Sequence, residues 1–305
     1  MKLSIGPIQY FWERQRVLDF YQQVADCPAE IIYLGEVICS KRRLLTFEDW
    51  LAIGNELQQS GKEVILSSLT LLEAASEMAS LKKLCTNQSF MVEANDISAV
   101  QILYKQKQPF VTGPSVNIYN SRSLKLLAEK GLKRWVLPVE LGLETLRDLQ
   151  AERPEGVETE VFALGRLPLA YSARCYTARS HNLPKDDCRF KCIEYPDGRL
   201  LKTREEQDFL VLNGIQTQSA LTHQVLDQLP SLRALAVDVL RISPQSEHTM
   251  HIVEVFDAAL AGDDTDPLLE TLLDLLPIGA CNGYLLEHAG MNLNPEAKHE
   301  TPQTA

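Results

Sequence analysis

The sequence has no long apolar run, no excess of basic residues and no pair of cysteines spaced as C-x-x-C. Because a membrane-spanning helix needs about 18 or more consecutive apolar residues, no such helix is expected. The formal net charge is -11 at pH 7, which argues against general nucleic-acid binding, since that function normally leaves a basic footprint. Phosphate-binding loops, G-x-G-x-x-G fingerprints and the G-x-S-x-G nucleophile elbow are absent as well.

The first residues, MKLSIGPIQYFWERQRV, lack the pattern of a secretory signal peptide. Pro7, Glu13 and Arg14 interrupt the segment before an apolar core of the usual length can form. We therefore expect the protein in the cytoplasm, where cysteines are kept reduced.

Cysteine is scarce, with seven residues in 305, and the number is odd. In a reducing compartment such cysteines are free thiols or metal ligands more often than a disulfide framework. Three of the seven lie within one stretch, ARCYTARSHNLPKDDCRFKC, at residues 173–192, together with five lysines and arginines. This stretch is the most informative part of the sequence.

The alternation of apolar runs with helical patterns predicts an α/β fold. The apolar runs are continuous rather than alternating, which is typical of parallel strands covered by helices. Their spacing of about 30 residues matches a strand–helix–strand unit. A (β/α)8 TIM-like barrel, distorted by one extra strand, accounts best for the nine candidate strands, KLSIGPI, AEIIYLGE, KEVILSSL, SFMVEAN, PFVTGPSVNIY, KRWVLPVE, VETEVFALG, DFLVLNG and ALAVDVLRIS.

Residues 1–290 are predicted to form a single barrel domain, followed by a flexible tail at 291–305. Within the domain, residues from about 166 to 207 break the strand–helix pattern and carry turn residues, so we expect a cysteine-rich insertion of loops and short helices there. One helix has clear ends, with Thr46 as its N-cap and Gly61 as a C-terminal stop.

Topology selects a fourth cysteine to join the three in the insertion. Cys39 follows one predicted strand and Cys175 follows another, and the carboxyl ends of all barrel strands share one face. If Cys188 and Cys192 sit on one helical turn, their i, i+4 spacing points both thiols the same way. The remaining cysteines are expected to be small buried hydrophobic residues, namely Cys27, Cys85 and Cys281.

Spacing alone leaves three interpretations of this set open: an iron–sulfur cluster, a zinc site, or unrelated buried cysteines. Structural zinc sites usually pair close cysteines, whereas one isolated cysteine with three loosely spaced ones better suits a [4Fe–4S] cluster held by four thiolates. The nearby lysines and arginines favour thiolates, although a solvated basic surface would look similar.

Several segments resemble the collagenase-like peptidase (U32) family, and in particular members of it that act in ubiquinone biosynthesis. The resemblance is carried by SIGPI, IIYLGEVICSKRR, LPLAYSARCYTARSHNLPKDDC and VLNGIQTQS, in order along nearly the whole chain. One departure, Arg166-Leu167-Pro168-Leu169 in place of a small residue and an early cysteine, argues against proteolysis.

The resemblance implies a function and a cofactor. Such members bind a [4Fe–4S] cluster, form a heterodimer with a sister protein, and hydroxylate the aromatic ring of a quinone precursor without oxygen. Prephenate is the implied oxygen donor, and a lipid-binding accessory protein assists. The family's cluster ligands correspond here to Cys39, Cys175, Cys188 and Cys192.

Other functions remain as rival hypotheses: a peptidase, a prephenate-dependent hydroxylation of RNA, and a non-catalytic partner whose cluster stabilises the fold. The run Lys41-Arg42-Arg43 and Arg174 could hold a donor with two carboxylates, or serve partner docking or charge balance at the cluster. Further polar residues are expected at carboxyl ends of strands, namely Glu36, Ser67, Ser68, Glu93, Asn117 and Glu140.

Overall fold

The computed structural model describes residues 1–293 and contains a closed barrel of eight parallel strands. The barrel strands are β1 (Lys2–Ile5), β2 (Ile31–Leu34), β3 (Glu63–Ser67), β4 (Met91–Ala94), β5 (Phe110–Thr112), β6 (Leu132–Val136), β7 (Glu158–Tyr171) and β11 (Val239–Ile242). Each pairs in parallel with the next, and β11 closes the barrel by pairing with both β1 and β7. The predicted (β/α)8 fold is thereby confirmed.

Helices cover the outside of the barrel and explain why its strands are apolar on both faces. Ile31, Ile32 and Leu34 in β2 are all fully buried. The covering helices are α1 (Arg14–Asp26), α2 (Phe47–Gln59), α3 (Ala75–Cys85), α4 (Ile97–Lys105), α5 (Ser121–Ala128), α6 (Leu143–Ala151), α8 (Leu229–Ala234), α9 (Thr249–Ala261) and α10 (Thr265–Asp274).

Helix α2 has the ends that its sequence predicts. The Thr46 hydroxyl accepts from the backbone N–H of Asp49, and the Asp49 carboxylate accepts from the N–H of Thr46, which forms a capping box. Beyond the helix, Gly61 has a φ of +86°, a conformation that favours glycine.

The insertion lies between β7 and β11 and is an antiparallel extension of the barrel sheet. It contains the short helix α7 (Tyr176–Ser180) and the strands β8 (Arg199–Lys202), β9 (Asp208–Asn213) and β10 (Gln216–Gln224). Strand β10 pairs antiparallel with the second half of β7 and parallel with the two-residue strand β12 (Ala280–Cys281). The eighth of the nine predicted strands, DFLVLNG, is therefore the extra one, and non-barrel structure continues past the predicted limit of 207 to Gln224.

Strand β7 belongs both to the barrel and to the antiparallel insertion because it bends at Gly165. Up to Leu164 it pairs with β11, and from Leu164 to Tyr171 it pairs with β10. Gly165 has a φ of +136°, and an added Cβ would lie 2.5 Å from the Ser243 side chain, so a larger residue would disturb the strand as it leaves the barrel.

The barrel interior contains an apolar cluster and a buried ion pair. The cluster consists of Ile31, Tyr33, Ile65, Val111 and Val239. Glu93 pairs with Arg241, which lies two residues beyond Val239 on β11. Among the described residues no helix is long and apolar enough to span a membrane. The predicted tail, 291–305, falls outside the described residues from position 294 onward.

Candidate metal centre

Cys39 lies on the loop that follows β2 at the carboxyl-end face of the barrel. The Glu36 carboxylate shapes this loop by accepting from the backbone N–H groups of Ile38 and Cys39, at 2.8 and 3.0 Å. Burial raises the pKa of Glu36, while the Arg42 guanidinium and these two N–H groups act in the opposite direction. The loop therefore holds Cys39 in a fixed direction.

Cys175 lies where the extended β7 ends and α7 begins. Its sulfur accepts from the backbone N–H of Ala178 at 3.3 Å, so the thiol caps the short helix. The N–H groups of Tyr176 and Thr177 donate to the carbonyl of Gly214, which attaches this corner to the turn between β9 and β10. The insertion thus positions Cys175 through backbone contacts.

Cys188 and Cys192 do not share a regular helical turn, which corrects the expected i, i+4 arrangement. Cys188 ends the 3-10 turn Lys185–Asp187, and Cys192 lies in a second one, Lys191–Glu194. Between them Arg189 and Phe190 both have a φ of +50°, so the chain turns sharply. The N–H of Lys191 donates to the carbonyl of Cys188, and the pair stays in one compact loop.

The structure brings the four cysteines from these separate segments to one side of the barrel mouth. Cys39 and Cys175 both pack against a small apolar cluster of Val37, Ile38 and Ile215. All four predicted ligands are partly buried, whereas Cys27, Cys85 and Cys281 are buried, as the sequence predicts. Cys39 and Cys175 thus meet across more than 130 positions of sequence because the barrel closes.

The thiols are also near enough to act on one another electrostatically. Burial is the main cause that raises the pKa of Cys39, and the charge of Cys192 acts in the same direction. Burial likewise raises the pKa of Cys175, with smaller contributions from Cys39 and Cys188. Thiolates gathered this way favour a cationic centre that neutralises them.

The donor set, four cysteine thiols, is one that a [4Fe–4S] cluster takes, with each thiolate at a separate iron. Within residues 1–293, no three His, Cys, Asp or Glu side chains are arranged to hold one metal ion.

Arg42 is the buried cation of the site and connects its two halves. Its side chain is 1% exposed and lies 3.7 Å from Glu36. It donates to the carbonyl of Gln9 and to Oδ1 of Asn213, both at 2.7 Å. Burial raises the pKa of Cys192, and the Arg42 guanidinium is the largest opposing influence. Arg42 thus stabilises negative charge on the sulfurs.

The neighbouring cations have other tasks. Lys41 donates to the carbonyl of Lys185 at 2.8 Å and pairs with Asp186 at 3.0 Å, so it ties the Cys39 loop to the insertion. Arg43 donates to the carbonyl of Ser40. Arg174 is exposed beside Cys175. Within the predicted run Lys41–Arg43, the buried Arg42 therefore stabilises both the thiolates and the fold.

The remaining predicted polar residues divide into three groups. Glu36, Ser67 and Ser68 line a cavity beside the Cys39 loop. Glu93 is fully buried in the barrel and pairs with Arg241 at 2.7 Å. The other two, Asn117 and Glu140, are exposed and far in sequence from the four cysteines. The Glu140 carboxylate accepts a hydrogen bond from the Tyr119 hydroxyl.

Sequence reasoning missed the charged network inside the barrel. Arg241 donates to Glu160 at 2.8 Å as well as to Glu93, and its guanidinium lies 4.0 Å from the centre of the Tyr33 ring. A detectable sign was present, since Arg241 interrupts the otherwise apolar strand β11. Such a charge is almost never fully buried unless it is paired.

Fold and site together define a (β/α)8-barrel protein in which an insertion after the seventh barrel strand adds three cysteines to a fourth at the barrel mouth. The chain belongs to peptidase family U32, whose family model matches residues 12–294.

Among solved structures, the U32 peptidase Mk0906 is similar over 80% of this chain and 93% of that chain, with 11% identity and a TM-score of 0.44. The tryptophan synthase complex from Pyrococcus furiosus is similar over 88% of this chain and 94% of that chain, with 10% identity and a TM-score of 0.43. N-acetylneuraminate lyase from Fusobacterium nucleatum shares 10% identity over 88% of this chain and 78% of that chain, with a TM-score of 0.44. The fold assignment rests on the strand pairing itself.

Proposed function

We propose that this chain is a UbiV-type subunit, which binds a [4Fe–4S] cluster and takes part in the oxygen-independent hydroxylation of ubiquinone precursors. The observation that carries the proposal is the gathering of Cys39 and Cys175 on one apolar cluster, beside a loop that holds the two further cysteines. The similarity of the sequence to such subunits supplies the pathway.

In this proposal Cys39, Cys175, Cys188 and Cys192 hold the cluster. When bound, the cluster would supply electron transfer. The residues of the chain itself have three tasks: Glu36 orients Cys39, Arg42 offsets the thiolate charge, and the insertion shields the sulfurs from water. Each of these tasks can be tested by substitution.

The proposal includes partners. A UbiU-like sister protein forms a heterodimer with this chain, and a UbiT-like lipid-binding protein assists. Prephenate provides the oxygen atom, and a quinone precursor receives it. The exposed Arg174 and Arg43 near the cysteines are candidate contacts for the two carboxylates of prephenate or for the sister protein.

The cluster is tested by iron analysis of protein purified without oxygen. We expect a brown protein with about four irons per chain. Alanine at any one of positions 39, 175, 188 and 192 is expected to lower the iron content by more than half, because a four-iron cluster needs all four thiolates. Cys27→Ala is the matched control and should keep its iron. Colourless wild-type protein, or unchanged iron in Cys175→Ala and Cys188→Ala, would refute the cluster.

The pathway is tested in cells that lack this chain. Such a strain is expected to lose ubiquinone when grown without oxygen and to keep it in air. Wild-type protein should restore anaerobic ubiquinone and Cys39→Ala should not. Unchanged anaerobic ubiquinone in the deletion strain would reject the assignment.

Peptidase activity is the second candidate, because the family model that matches nearly the whole chain is that of a peptidase family. The purified protein, with its iron measured in parallel, is incubated with gelatin and casein. Degradation that disappears on substitution of a single residue would favour this candidate over hydroxylation.

A further inference from the structure

The guanidinium of Arg42 is held at two of its three nitrogens. Nη1 donates to the carbonyl of Gln9 and Nη2 donates to Oδ1 of Asn213, both at 2.7 Å. Asn213 is itself held, because its Nδ2 donates to the same carbonyl at 2.8 Å and to Oε1 of Gln216 at 3.0 Å. Since a guanidinium is planar and rigid, these contacts also set the direction of the third nitrogen, Nε.

This third nitrogen is buried, and no hydrogen bond joins it to any of the residues that the structure describes. Aromatic rings cover the guanidinium, which lies 5.6 Å from the centre of the Phe11 ring. Phe190, from the loop between Cys188 and Cys192, packs against Phe11 with 5.8 Å between the ring centres. A buried donor without an acceptor is rare and calls for one.

The acceptor within reach is a sulfur. Burial raises the pKa of Cys192, and Arg42 opposes this rise more than any other group, through its charge and through direct contact between the two side chains. On the pKa of Cys39 and of Cys175, Arg42 acts through its charge alone. Of these three thiols, Cys192 is therefore the one that the guanidinium touches.

A hydrogen bond to this sulfur has a consequence for electron transfer. Hydrogen bonds to the sulfurs are among the factors that set the reduction potential of an iron–sulfur cluster. The reduced state carries one more negative charge than the oxidised state, so a cationic donor stabilises it more. A donor aimed at one ligand therefore raises the potential.

We propose that the Nε–H of Arg42 donates to the sulfur of Cys192, and that this bond raises the reduction potential of the bound cluster. The second part rests on the proposed function, since the potential belongs to the cluster. The proposal makes Arg42 a positioning residue with two sides: its Nη atoms are fixed to the fold, and its Nε directs a proton at a ligand.

Arg42→Lys separates the hydrogen bond from the charge. In lysine a methylene group, Cε, takes the place of Nε along the side chain, while the positive charge at the end is kept. In protein purified without oxygen, with dithionite as the electron donor, paramagnetic resonance measures the ratio of reduced to oxidised cluster at a fixed potential. We expect Arg42→Lys to lower this ratio about fivefold.

Arg43→Lys is the matched control. Arg43 is exposed and donates to the carbonyl of Ser40, so its replacement should leave the ratio unchanged. A residue that only holds the loops together would change the iron content but not the potential of the clusters that remain. An unchanged ratio in Arg42→Lys, or an equal fall in both variants, would overturn the proposal while the cluster stands.

The hydrogen bond itself is tested in the cluster-free full chain by NMR with isotope-labelled arginine. The Nε–H signal of Arg42 is assigned by its absence from Arg42→Lys, and its exchange with solvent is measured. Cys192→Ala is expected to speed this exchange about fivefold, because the acceptor is lost. Cys27→Ala removes a buried thiol elsewhere and should leave the rate unchanged.

This measurement separates the proposal from the proposed function. Faster exchange in Cys192→Ala supports the hydrogen bond even where no iron is found and the cluster fails. Equal rates in wild type and Cys192→Ala would overturn the proposal even where four irons are present.

Discussion

Arg42 shows how much a single side chain determines at this site. It is buried, and its guanidinium reaches the N-terminal segment at Gln9, the Cys39 loop at Glu36 and the insertion at Asn213. The turn at Gly214 makes room for it, since an added Cβ there would lie 2.9 Å from its Nη2 atom. A charge buried this way is stable only while its partners remain.

Arg42→Gln is therefore expected to lower the free energy of unfolding by about 3 kcal/mol, because it leaves Glu36, Gln9 and Asn213 without their buried partner. It should also lower the iron content, since the thiolates lose their nearest buried cation. Urea denaturation and iron analysis measure the two effects.

Arg43→Gln is the control for this prediction. The Arg43 side chain makes one hydrogen bond to the nearby carbonyl of Ser40, so a change within about 0.5 kcal/mol is expected. Equal losses in the two variants would show that the buried contacts of Arg42 are not decisive.

At the scale of elements, the loops after β2 and β7 set the positions of the cysteines. The loop after β2 turns at Gly35, which has a φ of +127° and lies so close to β3 that an added Cβ would be 2.7 Å from the carbonyl oxygen of Ser67. The residues that follow, Glu36 to Cys39, keep their direction only if this turn is kept.

Gly35→Ala is expected to lower the free energy of unfolding by about 1–3 kcal/mol, through backbone strain and the close contact with β3. It should lower the iron content too, because the loop that carries Cys39 must shift. Denaturant titration and iron analysis of the same preparation measure both.

Gly61→Ala provides the comparison at the element scale. Gly61 also has a positive φ, of +86°, but an added Cβ would meet no atom within 4 Å. This variant is expected to lose about 1 kcal/mol and to retain its iron. If it lost as much iron as Gly35→Ala, the loop geometry would not be the cause.

At the scale of the whole molecule, Arg241 joins strands that are distant in sequence. It lies on β11, which closes the barrel, and it pairs with Glu93 on β4 and Glu160 on β7 inside it. Burial raises the pKa of Glu160, but Arg241 outweighs this and the pKa is lower than the ordinary 4.5. Glu160 therefore contributes stability above the ordinary carboxylate pKa, and this contribution is lost as the pH falls through the lowered value.

Arg241→Met is expected to destabilise the protein by about 3–5 kcal/mol at pH 7, because it leaves buried carboxylates without their partner. In the variant the pKa of Glu160 rises, so protonation favours the folded state and the deficit relative to wild type should shrink as the pH falls below about 6. Unfolding by urea at pH 7 and pH 5 tests the sign.

The double variant Arg241→Met, Glu160→Gln tests whether the two side chains are coupled, even if the single variant folds poorly. Removing both partners is expected to cost less than the sum of the single changes, because no unpaired charge of that pair remains. Additive losses would show that the two side chains are not coupled.

The sequence by itself determined the barrel and singled out the four cysteines of the proposed cluster. Local apolar runs and helix patterns repeat along the chain, so the strands, the capping box at Thr46 and the burial of Cys27, Cys85 and Cys281 follow from neighbouring residues. Of the nine candidate strands, eight are in the barrel, and periodicity alone could not show that DFLVLNG is the antiparallel one.

The tertiary structure decided how the segments meet. Three features depend on contacts between residues far apart in sequence. They are the bend of β7 at Gly165, the compact loop that carries Cys188 and Cys192, and the burial of Arg42 and Arg241. A charge becomes a buried partner rather than a solvated side chain only when closure of the barrel removes water from around it, and no local pattern of residues contains that information.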